Sequence, residues 1–168
     1  MYLLSDFFIA TPAELVAFDR TKSPVLCFPT VLGRGADYNE LFCLFRLVAD
    51  GWWLAESSDA DKGEDAFDDA VYPLLLRVPP DVVESLGLAD DDQLAEWAAA
   101  WASTKSWLED GFPPAKLPFL MKDLAKLARQ AAATGSSMYV WIFKYPPGKA
   151  VPPPQTLPQE APPKALKG

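Results

Sequence analysis

The sequence predicts an α+β domain: a small mixed or antiparallel sheet of three to five strands packed against helices. Apolar runs of strand length stand at residues 2–10, 71–78 and 137–144. Between them, apolar residues recur at helical spacing, most clearly from Leu41 to Val48, Leu94 to Trp101 and Leu120 to Ala131. Half of the 168 residues are hydrophobic and 12% are aromatic, enough for one core without a metal or disulfide staple. The expected domain covers 1–144, and 145–168 is expected to be a disordered Pro-rich tail.

YLLSDFFIA at 2–10 reads as the first strand. Thr11-Pro12-Ala13-Glu14 then opens a short helix: Thr11 caps, Glu14 answers from three residues on, and Pro12 occupies the first helical position. VLCFPTV at 25–31 looks extended, but Pro29 has no N–H to donate, which places the piece at a sheet edge or bulge. Asp37 offers the next cap, and Leu41, Leu44, Phe45 and Val48 form the buried stripe of a helix closed by Gly51. A strand is expected at 52–56, followed by a mobile acidic loop at 56–69.

VYPLLLRV at 71–78 reads as a buried strand, and Pro79-Pro80-Asp81 starts a short helix ending near Gly87. Asp90 and Gln93 frame a capping box for a helix of about 15 residues with Leu94, Trp97, Ala98 and Trp101 on one stripe. A second long helix, from about Pro118 to Ala133, turns Leu120, Leu124, Leu127, Ala128 and Ala131 inward and ends at Gly135. SMYVWIFK closes the fold as a central strand. The tail carries 8 of the 17 prolines and no PxxP spacing, so a passive extended segment is expected rather than an SH3 or WW ligand.

The formal net charge is −8, divided as −14 over residues 1–115 and +6 over 116–168. Such a chain repels nucleic acid and anionic lipid and favours a cationic protein partner. No apolar run spans the roughly 20 residues a bilayer requires, and the N-terminal MYLLSDFF lacks the charge and length of a signal peptide, so a cytoplasmic setting is expected. Cys27 and Cys43 each lie in an apolar segment and are expected to be buried as small hydrophobes rather than paired.

There is no histidine, which removes Ser-His-Asp and Cys-His nucleophilic centres and makes zinc or haem sites improbable. Neither a cofactor nor a metal is expected. Gly33-Arg34-Gly35 before the Asp37 cap is a weak phosphate cradle, lacking the spacing of a P-loop or dinucleotide fingerprint, and reads first as a Gly-rich turn. The loop containing Asp59, Asp61, Gly63 and Asp65 departs from a calcium loop, with Glu64 and Ala70 where glycine and glutamate are required.

A glycosidase-type carboxylate pair could come from Asp6, Asp37, Glu96, Glu109 or Asp110, but spacing alone does not bring any two together. Asp6 stands out because it interrupts an apolar strand and needs a partner if it points inward: a helix end or Arg34. The weak catalytic candidates are therefore Asp6, Arg34 and Asp37. Six tryptophans suggest core packing first; Trp52 and Trp53 would point to opposite faces of a strand, so one of them is a candidate partner contact together with Asp61, Asp65 and Asp68.

Ser5-Asp6-Phe7-Phe8, Thr30-Val31 followed by Gly35 and Asp37, Trp101 with Thr104, and Tyr139-Val140-Trp141 recur in this order in a loose group of small bacterial proteins with no established activity, which the chain resembles. Lys105 stands where an acid is expected. The resemblance implies a bacterial source and a shared fold, and no chemistry. The function expected from these readings is non-catalytic protein binding, of the kind performed by an immunity-type inhibitor of a basic partner. The alternative is a histidine-free, hydrolase-like enzyme working near Asp6, Arg34 and Asp37.

Overall fold

The computed structural model describes residues 2–33, 36, 38–49, 73–104, 107 and 114–145. They form an α+β fold around a four-stranded, wholly antiparallel sheet of order β2-β1-β4-β3. Its centre is a nine-residue ribbon in which β1 (Tyr2–Ala10) pairs with β4 (Ser137–Tyr145), so the last strand is central as expected. β2 (Thr30–Leu32) and β3 (Leu74–Arg77) are the two edges. The acidic loop, Trp52, Trp53 and the tail beyond Tyr145 lie outside the described residues.

Alternation along the ribbon assigns side chains to two faces. Phe7 and Ile9 of β1 and Met138, Val140 and Ile142 of β4 face the main core. That core is roofed by α2 (Tyr38–Val48), α3 (Pro80–Leu88), α4 (Asp91–Ala102) and α5 (Leu117–Thr134). The five α5 residues expected inward are all buried, each large aliphatic among them contributing roughly 1.5–3 kcal/mol. α5 stops at Gly135, whose φ of 65° is the left-handed conformation that glycine adopts without a Cβ penalty. Trp101 and Trp107 meet edge to face at 5.2 Å inside this core, and Trp101 Nε1 donates to the Glu40 carbonyl at 2.8 Å, joining α4 to α2.

The opposite face is covered too, which the helical stripes gave no reason to expect. Leu4, Phe8, Ala10, Tyr139 and Trp141 make a second cluster beneath Leu15 of α1 (Pro12–Ala17), Phe18 and Phe28. The Phe8 ring lies 5.1 Å from Phe28 and 5.6 Å from both Phe18 and Tyr139. The Thr11–Glu14 capping box that starts α1 is present, with Pro12 where predicted.

Four local readings are corrected. Residues 24–26 of VLCFPTV form a 3₁₀ turn because Ser23 caps Val25 N and Pro24 is pre-set for the first helical position; only Thr30–Leu32 is strand. That short strand does lie at the sheet edge. Of the described residues of this run, only Leu74–Arg77 is strand, and it is half-buried rather than enclosed, since among the described residues β4 alone pairs with it. Cys27 is exposed and Cys43 half-buried, because Cys27 follows the 3₁₀ turn instead of lying in a strand of the sheet. α4 has 12 residues instead of about 15, with Ser103 as its C-cap.

Candidate functional site

The polar surface of α5 divides into two stripes by helical period. Lys122 and Arg129 lean toward the neighbouring helices: Lys122 Nζ bonds Asp91 Oδ2 of α4 at 2.8 Å, and Arg129 Nη1 donates to the Gly87 carbonyl of α3 at 3.3 Å. Phe119, Asp123, Lys126 and Gln130 face the other way, toward β2. Between that stripe and residues 29–32 lies an open groove of about 790 Å³. Phe119 is 72% exposed there although it belongs to a large apolar residue type, and Leu32 is 38% exposed at the same edge.

The backbone of β2 adds direction to this groove. Gly33 N donates to Ser5 O at 2.8 Å and Ile9 N donates to Pro29 O at 3.3 Å, so the odd-numbered residues of this stretch turn their peptide groups toward β1. In an antiparallel ladder the alternate residues turn theirs away. The N–H and C=O of Thr30 and Leu32 therefore point out of the sheet beside α5, in the arrangement that accepts an added strand. Lys116, Asp123 and Lys126 provide the charge of the groove, with Lys126 and Asp123 paired at 3.2 Å.

A second cleft, about 540 Å³, opens between α3, the C-terminal half of α5 and the β3–β4 end of the sheet, with Arg77 and Arg129 among its lining residues.

Asp6 lines neither cleft. It is 2% exposed on the covered outer face, where Ser23 Oγ donates to its Oδ2 at 3.1 Å. Because Ser23 also caps the 3₁₀ turn, the carboxylate is bonded to the end of a short helical turn, one of the partners the apolar strand LLSDFF called for. Arg34 and Asp37, its proposed catalytic companions, lie outside the described residues, as do Trp52, Trp53, Asp61, Asp65, Asp68, Glu109 and Asp110. Glu96 is exposed on α4, in the opposite layer from Asp6. A further buried carboxylate residue, Glu40 at 0% exposure, belongs to the first turn of α2.

Gly33 explains why the Gly-rich turn needs glycine at its start. A Cβ there would stand 2.6 Å from the Phe7 ring and 2.8 Å from Ser5 O, so the residue is set by close approach to β1. Its N–H is used by the sheet and Ser5 Oγ donates to the Ala36 carbonyl, which ties Gly33 and Ala36 onto β1. Among the described residues no group of three Cys, Asp or Glu converges in a way that would hold a metal ion, and no helix is long and apolar enough to cross a membrane.

Sequence reasoning missed Phe119 and the groove. The signal was available in α5: Leu117, Leu120, Leu124 and Leu127 follow the buried stripe, and Phe119 is the large apolar residue that departs from it. No family model, curated protein or solved structure matches this chain.

Proposed function

We propose that the chain is a non-catalytic protein-binding domain whose contact surface is the groove between β2 and α5. The observation that carries this reading is the coincidence of an open strand edge, at Thr30 and Leu32, with an exposed aromatic anchor, Phe119. An extended segment of a partner would take the outward peptide groups as its ladder and place alternate side chains against Phe119 and the stems of Lys116 and Lys126. The mixed charge of the rim suits a segment that is apolar with an acidic residue at Lys116.

The net charge of −8 supports a second feature of the same reading, a partner whose overall surface is basic, drawn in by the long-range field as an immunity-type inhibitor would draw a toxin in the cytoplasm. The enzyme alternative finds less support: Asp6 is 2% exposed, accepts a hydrogen bond from Ser23 and lines neither cleft.

The test is affinity capture from source-cell lysate at low and high salt with the full chain and its Phe119→Glu variant. A partner held by the native chain and lost by the variant, with an unchanged melting temperature, supports the groove. Capture indifferent to the substitution would overturn it. Hydrogen exchange then reads the strand edge directly: slowed Thr30 and Leu32 amides in the complex are expected, and unchanged rates would exclude strand addition.

A further inference from the structure

The walls of the groove between β2 and α5 are complementary to themselves. Among the described residues β1 alone pairs with β2, and the outward peptide groups of that edge belong to Thr30 and Leu32, one on each side of Val31. When a second β2 approaches antiparallel about a two-fold axis at Val31, Thr30 stands opposite Leu32 of the second copy and Leu32 opposite its Thr30. Both become hydrogen-bonded pairs, each residue donating its N–H and accepting at its C=O. Pro29 does not interrupt this ladder, because its position turns inward, its carbonyl accepting from Ile9 N. Val31, half-buried on the same face as Phe7, meets its own copy in the closer, non-hydrogen-bonded pair, on the side of the sheet that α5 covers.

We propose that a second copy of this chain occupies the groove, joining the two four-stranded sheets into one with both α5 helices on the same face. This rests on the reading of the groove as a strand-accepting surface and names the occupant it takes when no other partner is present. The charge pattern of α5 selects that occupant. An axis perpendicular to the sheet reverses the second α5, and Asp123 and Lys126 lie near the middle of the groove-lining stretch from Lys116 to Gln130. Reversal about a point between them brings Asp123 of each copy to Lys126 of the other, and Phe119 to Gln130. The Asp123 and Lys126 side chains are 54% and 71% exposed, so their 3.2 Å pairing within one chain leaves both open to this exchange. A stripe that reads the same in reverse with its signs exchanged is what a two-fold contact requires. The ladder covers three residues, so the dimer is weak and a foreign strand can displace it.

Sedimentation velocity of the full chain is the test, between about 10 μM and 1 mM, where a contact below standard size is populated. Salt of about 0.15 M limits the mutual repulsion of two chains of net charge −8 to a range of roughly 8 Å. Reversible association that stops at the dimer mass is expected. Asp123→Lys and Lys126→Asp each set like charges against one another across the axis, and each alone should weaken association about tenfold or more. An equimolar mixture of the two should associate again, because opposite signs then meet at both contacts, and so should the double variant by itself. Both positions are exposed, so melting temperatures should match that of the native chain. A native chain that stays monomeric, growth past the dimer, or single variants that associate as the native chain does would each overturn the proposal. Amide exchange at Thr30 and Leu32 should slow with protein concentration; rates indifferent to association would overturn the β2 pairing. A monomeric native chain whose lysate partner is lost by Phe119→Glu removes the second copy and keeps the groove. A dimer that passes the charge test, with lysate capture indifferent to Phe119→Glu, keeps the second copy and removes the foreign partner.

Discussion

Asp6 and Trp141 are Cα partners across the central ribbon, and both side chains are bonded to the same covering segment. Ser23 Oγ reaches Asp6 Oδ2 at 3.1 Å, and Trp141 Nε1 donates to the Arg20 carbonyl at 2.7 Å. Residues 20–23 thus act as a polar seam that fastens the outer layer, with its Phe18 and Phe28, onto an apolar sheet face. Buried polar groups without such bonds would oppose the packing they now orient.

The seam is tested by Ser23→Ala. Loss of a hydrogen bond to a carboxylate 2% exposed is expected to cost about 1–3 kcal/mol in urea unfolding. Val16→Ala, at a residue 89% exposed, is the control and should stay within about 0.5 kcal/mol. Equal midpoints for the two variants would show that Ser23 contributes nothing to holding the layer.

Gly33→Ala and Gly135→Ala should both destabilise, for different reasons. At Gly135 nothing stands within 4 Å of a new Cβ, so the cost is left-handed backbone strain, about 1–2 kcal/mol. At Gly33 the Cβ collides with the Phe7 ring and Ser5 O, an overpacking cost of about 1–3 kcal/mol. Phe7→Leu in the Gly33→Ala background should recover part of the loss beyond additivity, and should be merely additive with Gly135→Ala; the double-mutant cycle reads the difference.

Lys122, through its hydrogen bond and charge, holds the Asp91 carboxyl below its usual value. A carboxyl depressed on folding stabilises the native state above its unfolded pKa, and that contribution disappears as pH falls through the folded value. Lys122→Gln should move the Asp91 titration, followed by NMR, upward toward the ordinary carboxylate range. The stability difference between native and variant should shrink on acidification and in salt, because both side chains are largely exposed. A pH-independent difference would contradict the assignment.

The thiols should separate by rate under native conditions. Cys27, exposed after the 3₁₀ turn, is expected to react with Ellman's reagent promptly, and Cys43, half-buried on α2, slowly; denaturant should equalise them. Cys27→Ser removing the slow phase instead of the fast one would reverse the placement.

What was legible in the chain shares a range of a few residues. The Thr11–Glu14 box, the Asp90 cap on Gln93 N, the stripe from Leu120 to Ala131 and the Gly135 stop all depend on groups within about one or two helical turns, so their residue types and spacing carry the information. The need of Asp6 for a polar partner was legible for the same reason, from its place in an apolar strand. Extended segments held less: VLCFPTV and VYPLLLRV are equally apolar on paper, and whether such a run is strand, turn, edge or centre depends on neighbours elsewhere in the chain.

Sequence alone therefore determined the α+β class, the helices with the Thr11, Asp90 and Gly135 caps, and the central place of the last strand. Tertiary structure decided the rest: that Phe18 and Phe28 converge on Phe8, that Arg20 receives Trp141 from 121 positions away, and that β2 leaves the peptide groups of Thr30 and Leu32 facing outward beside Phe119. Local elements follow from short-range hydrogen bonding and periodic burial, whereas layers, edges and clefts arise when distant apolar surfaces compete for the same sheet, a contest settled only once the whole chain has packed.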